Sequence, residues 1–133
     1  MGSISPHILL LEDELTVRIL MTQILANLLD AQVTAFSSAE DGIEHLKQPD
    51  TRVDLIITDI QMVGLLDGYD VARLSLQHCP STPVVITSGL NGPERRKPLE
   101  NSTFLAKPWD LATLEGTLRA LPERRTPGGE EEP

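Results

Sequence analysis

Four places in this 133-residue chain set a residue able to handle a phosphoryl group at the end of a short apolar run. Residues 7–11 run into Glu12 and Asp13, and residues 53–58 into Asp59. Residues 84–86 run into Thr87 and Ser88, and residues 103–106 into Lys107. If these runs are parallel strands, their carboxyl ends meet at one edge of a sheet, where open α/β sheets place their ligand crevice. Three carboxylates, a hydroxyl and an ammonium then share one shallow pocket. An all-oxygen donor set of this kind suits Mg²⁺, which takes a few acids and keeps several waters. Taken alone, Glu12-Asp13 is equally well explained as a solvated turn with charge at a helix N-terminus. Beside Asp59 that reading weakens, because clustered carboxylates oppose joint ionisation unless a cation joins them.

The elements that must position these residues alternate between strand and helix. After Asp13, apolar residues fall at Val17, Leu20, Met21, Ile24, Leu25 and Leu28, the spacing of one helix face. Residues 32–36 form a short strand candidate. Ser37 and Glu40 have capping-box spacing and open a second helix that buries Ala39, Ile43 and Leu46 and stops before Pro49. The run 53–58 is almost uniformly apolar, as a central parallel strand covered on both faces should be. A third helix follows Gly68, carries Val71, Leu74 and His78 on one side, and ends before Pro80. Residues 83–87 make a fourth strand. Asp110 can cap a last helix with Leu111, Leu114, Leu118 and Leu121 on its face, which Gly116 weakens by roughly 1 kcal/mol relative to Ala. Between Gly89 and Asn101, Pro93 and Pro98 oppose a full helix. The order predicts a right-handed βαβ fold with helices on both faces, although periodicity does not give the strand order.

Composition narrows the function. A net charge of −9 argues against a nucleic-acid surface, which needs clustered Lys and Arg. Aromatics are 3%, so the core is aliphatic. Cys79 is the single cysteine and cannot form an internal disulfide; it reads as a small buried hydrophobe. No apolar run reaches the roughly 20 residues needed to span a bilayer, and residues 1–6 lack the regions of a signal peptide. The expected compartment is cytoplasmic. Residues 1–121 are expected to form one domain and residues 122–133, with no apolar side chain, a disordered tail. His7, His45 and His78 lack ligand spacing, and Trp109 is expected to pack on the Lys-Pro loop.

In order, ILLLEDE, LIITDIQM, DGYDVA, VVITSG and FLAKPWD resemble the five signature segments of response-regulator receiver domains of two-component systems. The similarity runs over about residues 7–121. It implies a flavodoxin-like, doubly wound five-stranded parallel sheet in the order 2-1-3-4-5, with the family's fourth helix short or degraded here. It implies Asp59 as phosphoacceptor, taking phosphate from a sensor histidine kinase or phosphotransfer protein. Asp13 would ligate Mg²⁺, Glu12 would reach it directly or through water, and Asp59 and the Gln61 carbonyl would complete the set. Ser88, which precedes the small Gly89, would be the switch hydroxyl, with Thr87 as the competing assignment; strand alternation is expected to turn Thr87 off the phosphate side. Lys107 would pair with phosphoryl oxygens, followed by a cis bond to Pro108. Phe104 matches the switch aromatic, with plain core packing as the equal alternative. Gly89 would leave Asp59 open to a donor, and Gln61 would influence attack by water.

Some features depart from the family pattern. Val63 stands where Pro is common, and residues 62–68 make a loop one residue longer than the commonest form, as in hybrid-kinase and stand-alone receivers. The short segment between Ser88 and Lys107 puts the usual dimer face in doubt. The favoured function is a single-domain response regulator acting through contacts with a downstream protein, rather than an enzyme. The alternative is a receiver-like binding module that is not phosphorylated. An aspartate-based phosphatase would need an acid where Gln61 stands. A flavin carrier's phosphate loop would clash with the charges of Glu12, Asp13 and Glu14.

Overall fold

The computed structural model describes residues 5–89, 99–107 and 111–119. Along the chain run β1 (His7–Leu11), α1 (Leu15–Leu29), β2 (Gln32–Phe36), α2 (Ala39–Leu46), β3 (Leu55–Asp59), α3 (Gly68–His78), β4 (Val84–Ser88), β5 (Ser102–Ala106) and α4 (Leu111–Arg119). All ladders are parallel, and the strand order is β2-β1-β3-β4-β5. This is the doubly wound, flavodoxin-like sheet expected from the resemblance.

The central strands read as continuous apolar runs because both of their faces are covered. Leu9, Leu11, Ile56, Val84 and Ile86 face one way, packing with Ala39 and Ile43 of α2 and Val71 and Ala72 of α3. Ile8, Leu10, Leu55, Ile57, Val85 and Leu105 face the other way, onto Met21 and Leu25 of α1 and Leu114 of α4. Alternation along each strand thus assigns neighbouring residues to opposite cores. The edge strand β2 has no fully buried residue, as a strand with a neighbouring strand on one side only should.

Several local expectations shift. The third strand starts at Leu55, with Val53 buried just ahead of it, and the fourth runs one residue later than expected. Leu20 was expected on the buried face of α1 but is 55% exposed. This helix carries apolar side chains on nearly every side, so spacing alone does not single out its core stripe. His78 is exposed, while Ala72 and Ser75 fill the core side of α3. The cap of α2 is Ser38, whose Oγ accepts from the Asp41 N–H at 3.2 Å. Ser37 and Glu40 therefore do not form the expected capping box, and Glu40 is used elsewhere. The capping box occurs instead at α3, where Asp67 and Asp70 each accept from the other's N–H, at 2.9 and 3.0 Å.

The expectations for residues 90–98, Pro108, Trp109, the Asp110 cap, Leu121 and the tail 122–133 lie outside the described residues. No described helix is long and apolar enough to cross a membrane.

Candidate phosphoacceptor site

β1 ends where its ladder hands over to the acidic pair. The Glu12 N–H donates to the Phe36 carbonyl at 3.1 Å, which extends the β1–β2 pairing by one residue. The following turn is held from α1. The Arg18 guanidinium donates to the Glu12 carbonyl at 2.9 Å, and the Glu14 N–H donates to Glu12 Oε2 at 3.2 Å. Glu14 then caps α1 by accepting from the Val17 N–H. The consequence is a Glu12 only 3% exposed. Burial pushes its carboxyl above the ordinary value, against the opposing pull of the Glu14 N–H and the Lys107 ammonium.

Asp59 closes β3 beside it. The next residue, Ile60, donates its N–H to the Thr87 carbonyl at 2.8 Å and accepts from the Gly68 N–H at 2.9 Å. Gly68 must lack a side chain. A Cβ there would fall onto the Asp59 carbonyl oxygen, with Ile60 Cα 3.0 Å away. The start of α3 is therefore pressed directly against the backbone of Asp59. Lys107 arrives from the end of β5, and its Nζ is 2.7 Å from Asp59 Oδ2 and 3.9 Å from Glu12 Oε1.

Carboxylate oxygens of Glu12, Asp13 and Asp59 all lie within 4.8 Å of one another. Three convergent oxygen donors, one of them buried, fit a hard divalent cation. A cleft of about 350 Å³ opens over them, lined by Asp13, Asp59, Gln61, Met62, Val63, Gly89 and Lys107. The structure thus brings together Glu12, Asp13, Asp59, Gln61 and Lys107.

The two hydroxyl candidates stand differently. Thr87 is paired in register with Asp59, so both share one face of the sheet. Thr87 is 2% exposed and is absent from the cleft lining. Ser88 is placed by its backbone alone, opposite Ala106 and next to the cleft-lining Gly89; its hydroxyl lies outside the described atoms. Phe104 is half-buried and packs on the core formed with α2 and α3.

One contributor went unseen in the sequence. Glu40 Oε2 accepts from the N–H groups of Leu65 and Leu66, at 2.8 and 3.1 Å. Its own N–H and those of Leu65 and Leu66 hold its carboxyl below the ordinary value. No spacing rule links residues so far apart; the only signal, Glu40's distance from Ser37, pointed to a different bond.

A strand order of 2-1-3-4-5 with acids and a lysine gathered at the carboxyl edge defines a class of flavodoxin-like signalling module. The response regulator receiver domain family model matches residues 8–119, and the chain belongs to that family. Receiver domains are phosphoacceptor modules of two-component systems. They bind Mg²⁺ in an acidic pocket and interact with histidine kinases or phosphotransfer proteins.

The chain is 32% identical over 117 residues to the Autoinducer 1 sensor kinase/phosphatase LuxN of Vibrio campbellii, covering 86% of this chain but 13% of that protein. It is 29% identical to a response regulator receiver protein from Sinorhizobium medicae WSM419, with a TM-score of 0.71 over 87% of this chain and 96% of that one. The fold is also shared with the receiver domain of the sensor histidine kinase PA1611 from Pseudomonas aeruginosa PAO1. That structure has a magnesium ion coordinated in its active-site cleft, and it matches with a TM-score of 0.74 at 24% identity over 87% of this chain and 96% of that one.

Proposed function

We propose that this receiver accepts a phosphoryl group on Asp59 from a sensor histidine kinase or phosphotransfer protein and signals through contacts with a downstream protein. The observation that carries this reading is the 2.7 Å contact from Lys107 Nζ to Asp59 Oδ2, with Asp13 and Glu12 carboxylates in the same cluster. Phosphoryl transfer asks little covalent chemistry of a protein. It asks for in-line positioning and for compensation of charge on the equatorial oxygens.

Asp59 Oδ is the nucleophile. A carboxylate oxygen forms the bond to phosphorus as the bond to the donor's nitrogen breaks, and the donor imidazole leaves with that electron pair. The Lys107 ammonium, already on Asp59, moves its hydrogen bond to the incoming phosphoryl oxygens. Asp13, Asp59, the Gln61 carbonyl and Glu12, directly or through water, would hold Mg²⁺, which when bound neutralises charge on the same oxygens. Gly89 presents no side chain to the donor. Ser88 is the assigned switch hydroxyl, supported by its place beside Gly89; Thr87, directly across from Asp59, is its competitor. Phosphorylation draws that hydroxyl inward, and Phe104 follows into the freed space, biasing a two-state equilibrium.

Incubation with Mg²⁺ and acetyl phosphate, followed by intact mass, tests the reading. One added phosphate is expected on the wild type and none on Asp59→Asn. Label surviving on that variant moves the site elsewhere. An unlabelled wild type replaces the proposal with the binding-module alternative. Ser88→Ala and Thr87→Ala, compared by labelling rate, decide between the hydroxyls.

A further inference from the structure

The cleft's outer wall is the loop from Gln61 to Asp67, which carries Gln61, Met62 and Val63 from the end of β3 to the cap of α3. Its two ends are fixed. Ile60 is hydrogen-bonded to Thr87 and to Gly68, and Asp67 is locked in the capping box. Met62 and Leu66 are partly buried against the core shared with α2 and α3, while the stretch between them has little apolar anchorage: Val63 is 59% exposed and Leu65 95%. Across that stretch one oxygen, Glu40 Oε2, reaches from α2 to the adjacent N–H groups of Leu65 and Leu66. Gly64 completes the fit. Its φ is +102°, and a Cβ there would lie 2.9 Å from both Glu40 carboxylate oxygens. Turn, glycine and carboxylate form one clasp.

We infer that Glu40 is a positioning residue for the phosphoacceptor site: by clasping the loop at Leu65 and Leu66 it holds Gln61, Met62 and Val63 against the cleft and limits access of water to phosphorylated Asp59. The inference rests on the phosphoacceptor reading of Asp59. Glu40 touches none of the reacting atoms. It acts through about three residues of backbone, so its effect falls on the lifetime of the aspartyl phosphate rather than on whether it forms. A carboxylate accepts hydrogen bonds more strongly than a neutral amide, so Glu40→Gln keeps the reach and loses part of the grip, whereas Glu40→Ala loses both.

The experiment compares wild type, Glu40→Gln and Glu40→Ala in two ways. Site-resolved amide exchange reads the loop, and intact mass follows loss of phosphate after loading with acetyl phosphate and Mg²⁺. Exchange at Leu65 and Leu66 is expected to quicken at least tenfold in Glu40→Ala while β1 and β3 amides hold. The phosphoryl lifetime is expected to fall at least threefold, with Glu40→Gln between Ala and wild type in both readouts. Faster exchange with an unchanged or longer lifetime would make the clasp purely structural and overturn the inference, as would unchanged exchange. A wild type that takes no phosphate defeats the phosphoacceptor reading itself, and the positioning role with it; a labelled wild type with an indifferent Glu40→Ala defeats the positioning role alone.

Discussion

The two walls of the cleft are built by different means. The inner wall, Glu12, Asp13, Asp59 and Lys107, hangs from the ends of three strands, two of which, β1 and β3, are buried on both faces. The backbone positions that carry these charges are set by the sheet. The outer wall, Gln61–Val63, belongs to a loop whose most exposed stretch is tied by one carboxylate on a neighbouring helix. The difference separates two requirements. Charge placement is secured by hydrophobic burial, which changes only at large cost. Access to the site is secured by polar contacts near the surface, which are adjustable without loss of fold.

The two walls meet at Gly68, and there the largest effect is expected. Gly68→Ala sets a methyl group against the Asp59 carbonyl, which is backbone and has no rotamer to yield. Overpacking of this kind costs about 1–3 kcal/mol. Urea denaturation should report a loss in that range, and labelling of Asp59 should slow. A variant with unchanged stability would show that the start of α3 is free to draw back, and the contrast between a fixed and an adjustable wall would fail.

A smaller effect tests the inner wall alone. Lys107→Met leaves Glu12 and Asp59, with side chains 4% and 12% exposed, without the cation both contact. The lysine side chain is itself 32% exposed, so water screens part of the loss. A reduction of about 1–2 kcal/mol is expected in metal-free protein. Mg²⁺ should restore more stability to this variant than it adds to the wild type, because it would meet a less compensated cluster. Equal stabilisation of both proteins would mean that Lys107 and the acids are not electrostatically coupled.

The sequence disclosed the inner wall far better than the outer one, for a physical reason. Strand ends follow uninterrupted apolar runs, so Glu12, Asp13, Asp59 and Lys107 were legible as the residues on which such runs stop, and their convergence follows from parallel pairing. Strand order was not in the periodicity and came with the family resemblance. The face of α1 blurred because Leu15, Ile19 and Leu20 are apolar and exposed. For Thr87, alternation gives only relative faces, and its register opposite Asp59 was not in the sequence pattern. The clasp was hidden altogether. Glu40 is separated from Leu65 by 25 positions, and it bonds main-chain N–H groups that any residue offers.

The smallest effect expected is a pH dependence confined to the outer wall. Glu40 is held below its ordinary value of 4.5, chiefly by its own N–H and that of Leu65. Between the lowered value and 4.5 the unfolded chain carries the extra proton, so stability rises with pH through that window. The clasp's contribution is therefore complete at and above 4.5 and is lost as pH falls through the lowered value. The neighbouring Asp70 carboxylate opposes the ionisation of Glu40 and narrows the window without reversing it. Protection of the Leu65 and Leu66 amides should accordingly persist on acidification past 4.5 and fade only below it. In Glu40→Gln, protection should be weaker at neutral pH and flat through the same range. Fading that begins above 4.5 in the wild type would give the clasp to some group other than Glu40.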